Sequence, residues 1–325
     1  MRADPLNSVK KEQTLNRICK SCNSGIIQAT DNFCPVCGAP VGAKRSRVAT
    51  AFLTLLACLG FFAVYEVITF VVELIYEFSF VTELPGFPNF TTEDFYSRLS
   101  YRYCEVGILT AVVVLLAFFL IFKIARRSLR DEVCLYTVAP APSVGLVALG
   151  ATGQVAVSIG LTLLYALFPA LSQYSVGDTF DNILENANPV TAVLFIGVIT
   201  PFLEEMLFRG IIYTRLRKIM PVSASIVLSA VIFGAAHGNI EQFCYATVMG
   251  LVCALAFQRY GSLWASFFIH FAFNSVSFLL EYIPDNPALI IALFFICTGL
   301  FVVFFAYLFL TKNLPTKAVN DNETL

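Results

Sequence analysis

The chain has 325 residues, 58% of them hydrophobic and 13% charged, against about 45–50% and 25% in soluble domains, which excludes a water-soluble globular fold. Lys and Arg number 21 and Asp and Glu 22, a formal net charge of −1, so there is no electrostatic footprint for nucleic acid. The charges gather at the N-terminus and in short breaks between apolar runs, as expected of runs in hydrocarbon and breaks in water. No cleavable signal peptide is read, because the chain opens on a polar segment with a motif of its own.

Residues 1–47 form a separate unit: a basic lead-in, four cysteines, and the basic stretch Lys44, Arg45 and Arg47. Cys19-Lys-Ser-Cys22 and Cys34-Pro-Val-Cys37 are two knuckles, each presenting two thiolates at the spacing that closes a tetrahedral Zn²⁺ site. The segment resembles a zinc ribbon. Four sulfurs leave no open coordination position, so Cys19, Cys22, Cys34 and Cys37 are expected to hold a structural zinc rather than a catalytic one. A redox dithiol or two disulfides are the competing readings; a reducing compartment and the need for a staple in so small a segment favour zinc. The remaining cysteines show no ligand spacing and read as core packing.

Apolar runs at about 48–73, 104–125, 144–171, 190–208, 222–239, 243–258, 261–283 and 287–311 predict an all-α, polytopic transmembrane bundle of about eight helices, since ~20 apolar residues span a bilayer. The 222–239 and 243–258 runs are short enough to form a tight helical hairpin that does not cross fully. Lys123, Arg126, Arg127 and Arg130 follow the second run, and Arg215, Arg217 and Lys218 follow the fourth. The alternate breaks are acidic or mixed, with Glu77, Glu83, Glu93 and Asp94 in one and Asp178, Asp181 and Glu185 in another. That alternation places both termini in the cytoplasm. The chain thus divides into the N-terminal unit, two helices with an external loop over 48–143, a helical core over 144–311 and a polar tail over 312–325.

An ionisable side chain in hydrocarbon costs at least ~2.5–3.5 kcal/mol, so each needs a partner or a function. On the fourth run, Glu205 and Arg209 lie four residues apart on one helical face in the favourable order for an ion pair. Glu204 points about 100° away, and a second carboxylate beside a paired one suits proton transfer. An interfacial helix end with both acids in water is the plainer alternative. The two histidines of the chain, His237 and His270, both fall in predicted membrane helices, Phe233 and His237 sharing one face and His270 and Asn274 another. Gly234, Ala235, Ala236 and Gly238 keep the surroundings of His237 small, so that a neighbouring backbone can approach. Taken singly, each histidine also fits a helix-to-helix hydrogen bond. Helix rise puts Glu204 ~8 Å, His270 ~13 Å and His237 ~22 Å from the cytoplasmic face, a spread that requires the 222–239 helix to start deeper or tilt.

Glu204-Glu205-x-x-x-Arg209, Phe233-x-x-x-His237 and His270-x-x-x-Asn274, in this order on successive helices, resemble the three motifs of the CAAX-protease and bacteriocin-processing family of intramembrane peptidases. The resemblance covers roughly residues 145–311. It implies that Glu204 activates water, that Glu205 and Arg209 support it, and that His237, His270 and Asn274 complete the polar cluster. It leaves open whether a metal takes part. Glu204, His237 and His270 could supply the open three-ligand set of catalytic zinc. Alternatively, Glu204 with His237 deprotonates a water while His270 and Asn274 donate to the oxyanion; the poor ligand quality of Asn274 and the lack of His-Glu-x-x-His favour this second arrangement.

The expected partners are the bilayer and a membrane-associated protein or peptide substrate. A non-catalytic scaffold that docks partners through the ribbon is the main competing function. A proton-coupled transporter is another, but no paired halves are visible. Glu66, Glu73 and Gln154 are also polar at membrane depth and have no role in this reading.

Overall fold

A computed structural model describes residues 17–18, 26–27, 34, 36, 47–81, 92–175, 187–280 and 282–311. The membrane region is helical: α1 is Arg47–Val81, α2 Thr92–Ile124, α3 the short Leu129–Glu132, and α4 Pro140–Leu167. Next come α5, Pro189–Leu216, and α6, Val222–Ala235. The bundle finishes with α7, Ile240–Tyr260, α8, Leu263–Leu280, and α9, Pro287–Leu310. Seven of these are long and apolar enough to cross a membrane, and the chain is a multi-pass integral membrane protein. The eighth, α6, has only 14 residues, about 21 Å of rise against ~30 Å of hydrocarbon. Of the two runs read as a short hairpin, 222–239 therefore falls short. The other begins earlier than its hydropathy indicates and reaches full length.

Local chemistry sets these boundaries. Asn188 caps α5 by accepting from the Val190 N–H at 2.9 Å, with Pro189 in the first turn. Asn239 caps α7 by accepting from Gln242 N–H at 2.8 Å, and Asn286 caps α9 the same way from Ala288 N–H at 3.0 Å. Each such cap is worth about 1 kcal/mol. α2 starts at Thr92, well before the apolar run at 104, because its first turns carry polar residues that hydropathy reads as loop.

α5 is not a plain α-helix. Two π-helical stretches, Val193–Ile199 and Met206–Tyr213, flank the α-helical Thr200–Glu205. Such wide turns are rare and cluster at functional sites.

One end of the bundle gathers the basic breaks. Glu132 of α3 pairs with Arg127 at 2.8 Å and with Arg215 of α5 at 3.4 Å. Arg259 at the end of α7 donates to the Thr311 carbonyl at 2.6 Å, and the Leu263 N–H donates to the Cys134 carbonyl at 2.9 Å. The ends of α5, α7 and α9 and the start of α8 thus share one side with the α2–α4 connection. Arg217 donates to the Cys34 carbonyl at 3.0 Å and so brings Cys34 to this side as well.

Among the described N-terminal residues, Arg17–Ile18 and Ile26–Ile27 form a short antiparallel ladder, with Ile18 opposite Ile26. Cys34 is buried, and the Val36 N–H donates to its Sγ at 3.4 Å. Cys19, Cys22 and Cys37 lie outside the described residues.

The core that holds the site is built by α4 to α8. α4 meets α8 closely, and a Cβ at Gly150 would collide with the Ile269 carbonyl oxygen, next to His270. The space around Gly234 serves the expected close approach: a side chain there would press on Thr247 and on the Phe243 carbonyl of α7. Gln154 on α4 donates from Nε2 to Ser158 Oγ one turn on, at 3.0 Å.

Candidate active site

Glu204 and Glu205 sit at the end of the α-helical turn of α5, just before its second π-helical stretch. Glu205 and Arg209 form the expected pair, with Nη1 3.0 Å from Oε1 and both side chains 0% exposed. The rest of the Arg209 charge is met from two directions. Its Nη2 donates to the Gly250 carbonyl of α7 at 3.1 Å, and its guanidinium lies 4.5 Å from the centre of the Phe233 ring. A desolvated cation–π contact of this kind contributes about 2 kcal/mol.

His270, 2% exposed, bridges the two glutamates. Its Nδ1 is 2.9 Å from Glu205 Oε1, and its Nε2 is 3.5 Å from Glu204 Oε2. The ion-paired carboxylate can only accept, so Nδ1 carries a proton and donates it to Glu205. In the neutral ring Nε2 is then a bare acceptor facing Glu204. The chain Arg209, Glu205, His270, Glu204 runs from a fully buried end to a carboxylate that is 18% exposed. A separation of 3.5 Å is too long for a good direct hydrogen bond and short enough for one water to touch both groups.

His237 does not lie within a helix. It sits in the turn past the end of α6, where Gly238 takes φ of +74° and the chain turns into α7. Its Nδ1 is 2.9 Å from the Phe233 carbonyl, which can only accept, so Nδ1 carries a proton and in the neutral ring Nε2 is the bare nitrogen here too. Rings join it to the cluster: Phe233 packs against His237 at 4.9 Å and against His270 at 5.7 Å, both edge-on. No hydrogen bond or ion pair links His237 to Glu204 among the described residues.

The expected depth mismatch between Glu204 and His237 comes from the length of α5. The helix continues to Leu216 rather than stopping near 208, so Glu204 lies up to about 18 Å from that end, close to the level of His237.

Asn274 lies one turn beyond His270, but its Nδ2 donates to the Ile196 carbonyl at 3.0 Å. That carbonyl belongs to the first π-helical stretch of α5, so the amide ties α8 to α5. Among the described residues, no three His, Cys, Asp or Glu side chains are grouped to hold a metal ion; Glu204 and His270 meet, and a metal would require His237 to join them.

One feature of the site lies beyond the three motifs: the Gly250 carbonyl, which accepts from Arg209 Nη2, has no side-chain signature in a sequence.

The Bacillus subtilis (strain 168) protein named "Putative membrane peptidase YdiL" is 28% identical over 145 residues, covering 39% of this chain and 59% of the relative. The match therefore spans little more than half the length of that relative. No solved structure matches. Residues 186–276, which contain Glu204, Glu205, Arg209, His237, His270 and Asn274 together, match the family described as type II CAAX prenyl endopeptidase Rce1-like.

Proposed function

We propose that the chain is an intramembrane endopeptidase that cleaves a peptide bond of a membrane-associated protein or peptide with water activated by Glu204 and His270. The observation that carries this reading is the buried relay Arg209, Glu205, His270, Glu204. The Glu204 carboxylate and the bare Nε2 of His270 can each accept one O–H of the same water, which turns its lone pair toward a scissile carbonyl. Glu204 takes the proton as the C–O bond forms. It returns that proton to the amine nitrogen as the C–N bond breaks, which balances the hydrolysis. Glu205 keeps the His270 proton on Nδ1, and Arg209 keeps Glu205 ionised. In the resting arrangement Asn274 supports the site through α5; donation to the oxyanion would require it to leave Ile196.

Zinc in the N-terminal unit is part of the same proposal. In the sequence the first knuckle falls between the two paired strands, and the Val36 N–H to Cys34 Sγ bond suits a ligating thiolate. Cys19, Cys22, Cys34 and Cys37 would hold the metal for structure alone. The positive-inside rule puts this unit and both termini in the cytoplasm.

The test uses purified protein in nanodiscs and a fluorogenic peptide ending in a farnesylated CAAX sequence, with an unprenylated copy beside it. We expect cleavage at one bond, about one zinc per chain, and continued cleavage by a metal-free form lacking residues 1–40. Activity that disappears in that form and returns on adding Zn²⁺ would make the enzyme a metallopeptidase with Glu204, His237 and His270 as ligands. Folded protein that cleaves neither peptide, nor any bond of proteins in its native membrane, favours the non-catalytic scaffold.

A further inference from the structure

Phe233 stands at the centre of the candidate site with no polar group of its own. Its side chain is 0% exposed. The guanidinium of Arg209 covers the ring, both imidazoles of the chain meet it edge-on, and so does Phe208 at 5.0 Å. Its carbonyl accepts from His237 Nδ1. Gly250, whose carbonyl takes Arg209 Nη2, flanks the ring, and a Cβ there would come within 3.2 Å of it. One side chain therefore touches Arg209, His237 and His270 together.

From this we infer that Phe233 is a positioning residue: its ring fixes the orientation and spacing of His237 and His270 and seats Arg209 behind Glu205, so that both histidines present a bare Nε2. An imidazole held by one hydrogen bond still rotates about it, and a second contact on the ring face or edge is needed to aim the free nitrogen. For His270 the hydrogen bond comes from Glu205 and for His237 from the Phe233 backbone; the shared second contact is the Phe233 ring. A flexible aliphatic side chain of similar size would fill the volume without holding two rings at a set angle. The inference deepens the peptidase reading and rests on it for its catalytic consequence, whereas the orientation of the rings can be read without a substrate.

The chain contains two histidines, so ¹⁵N-histidine labelling of the full-length protein in nanodiscs yields one ring spectrum for each. In the wild type both rings are expected to carry the proton on Nδ1 with Nε2 bare. Phe233→Leu is compared with Phe118→Leu, which removes a ring of the same size, also 0% exposed, from a pair with Phe61 outside the site. Both variants lose packing, but only Phe233→Leu should shift and broaden both ring spectra, because each imidazole then turns about its hydrogen bond while Nδ1 keeps the proton. On the farnesylated peptide it should lower kcat about 10- to 100-fold with KM within about twofold, and Phe233→Tyr should recover most of the loss. Wild-type spectra with the proton on Nε2 would overturn the inference. So would equal spectral changes in the two leucine variants, or a kcat for Phe233→Leu matching that of Phe118→Leu. If the wild type cleaves nothing, the peptidase reading fails separately, and the ring spectra still decide whether Phe233 positions the histidines.

Discussion

Glu204→Gln is expected to reduce cleavage by about 10²–10⁴-fold while leaving substrate binding intact. The amide keeps the shape and hydrogen-bonding reach of the carboxylate but cannot take a proton, and an NH₂ group turned toward His270 would satisfy the bare Nε2 now 3.5 Å away. The water would then lose its base and one of its two acceptors together. The loss should fall on kcat, because nothing that holds the peptide has been removed. Direct binding of the uncleaved peptide, measured by fluorescence anisotropy, separates the two effects. A Gln variant that retains more than about a tenth of wild-type turnover would remove Glu204 from the proton path.

Arg209→Ala is expected to be the most destabilising single change in the site, by about 3–5 kcal/mol, since it leaves the fully buried Glu205 carboxylate without its cation. The damage spreads by three routes: the Gly250 carbonyl loses its donor, Phe233 loses the cation on its face, and Glu205 is left to accept from His270 without its ion pair. Arg209→Lys should lose less, because it restores the charge but not the fork that reaches Glu205 and Gly250 together. Thermal unfolding in detergent orders the three proteins. An unchanged Tm for the Ala variant would mean that water reaches the pair.

The parts of the site written in local spacing were legible in the sequence. Glu205 and Arg209 pair because four residues make one helical turn, and the α5 backbone keeps that relation even where it widens into π-helix just beyond Glu205. The partner of His270 was not legible. The chain separates His270 from Glu205 by 65 residues, and only the packing of α8 against α4 and α5 brings them to 2.9 Å. The same holds for Asn274, whose choice between an oxyanion and the Ile196 carbonyl depends on a π-helical stretch with no compositional mark. His237 is a different case, because the signal was there. Gly238 suits a positive φ and Asn239 is a strong helix cap, so Gly-Asn after the histidine marks the end of one helix and the start of the next. Hydropathy alone ran the helix through them. For the N-terminal unit, the cysteine spacing remains the main evidence.

Hydrolysis within a bilayer needs a supply of water, and the shortness of α6 bears on that need. A helix of 14 residues anchored at one face ends roughly 9 Å short of the other side of the hydrocarbon. At that level the chain makes the Ala236-His237-Gly238-Asn239 turn, with Ala236 and Gly238 exposed. Turn backbone cannot face lipid tails without an unsatisfied polar cost of several kcal/mol per group, so it persists only where a wet recess reaches it. If the peptidase reading holds, hydrophobic mismatch at α6 would therefore serve as an inlet, bringing solvent to the turn at His237 and toward the partly exposed Glu204.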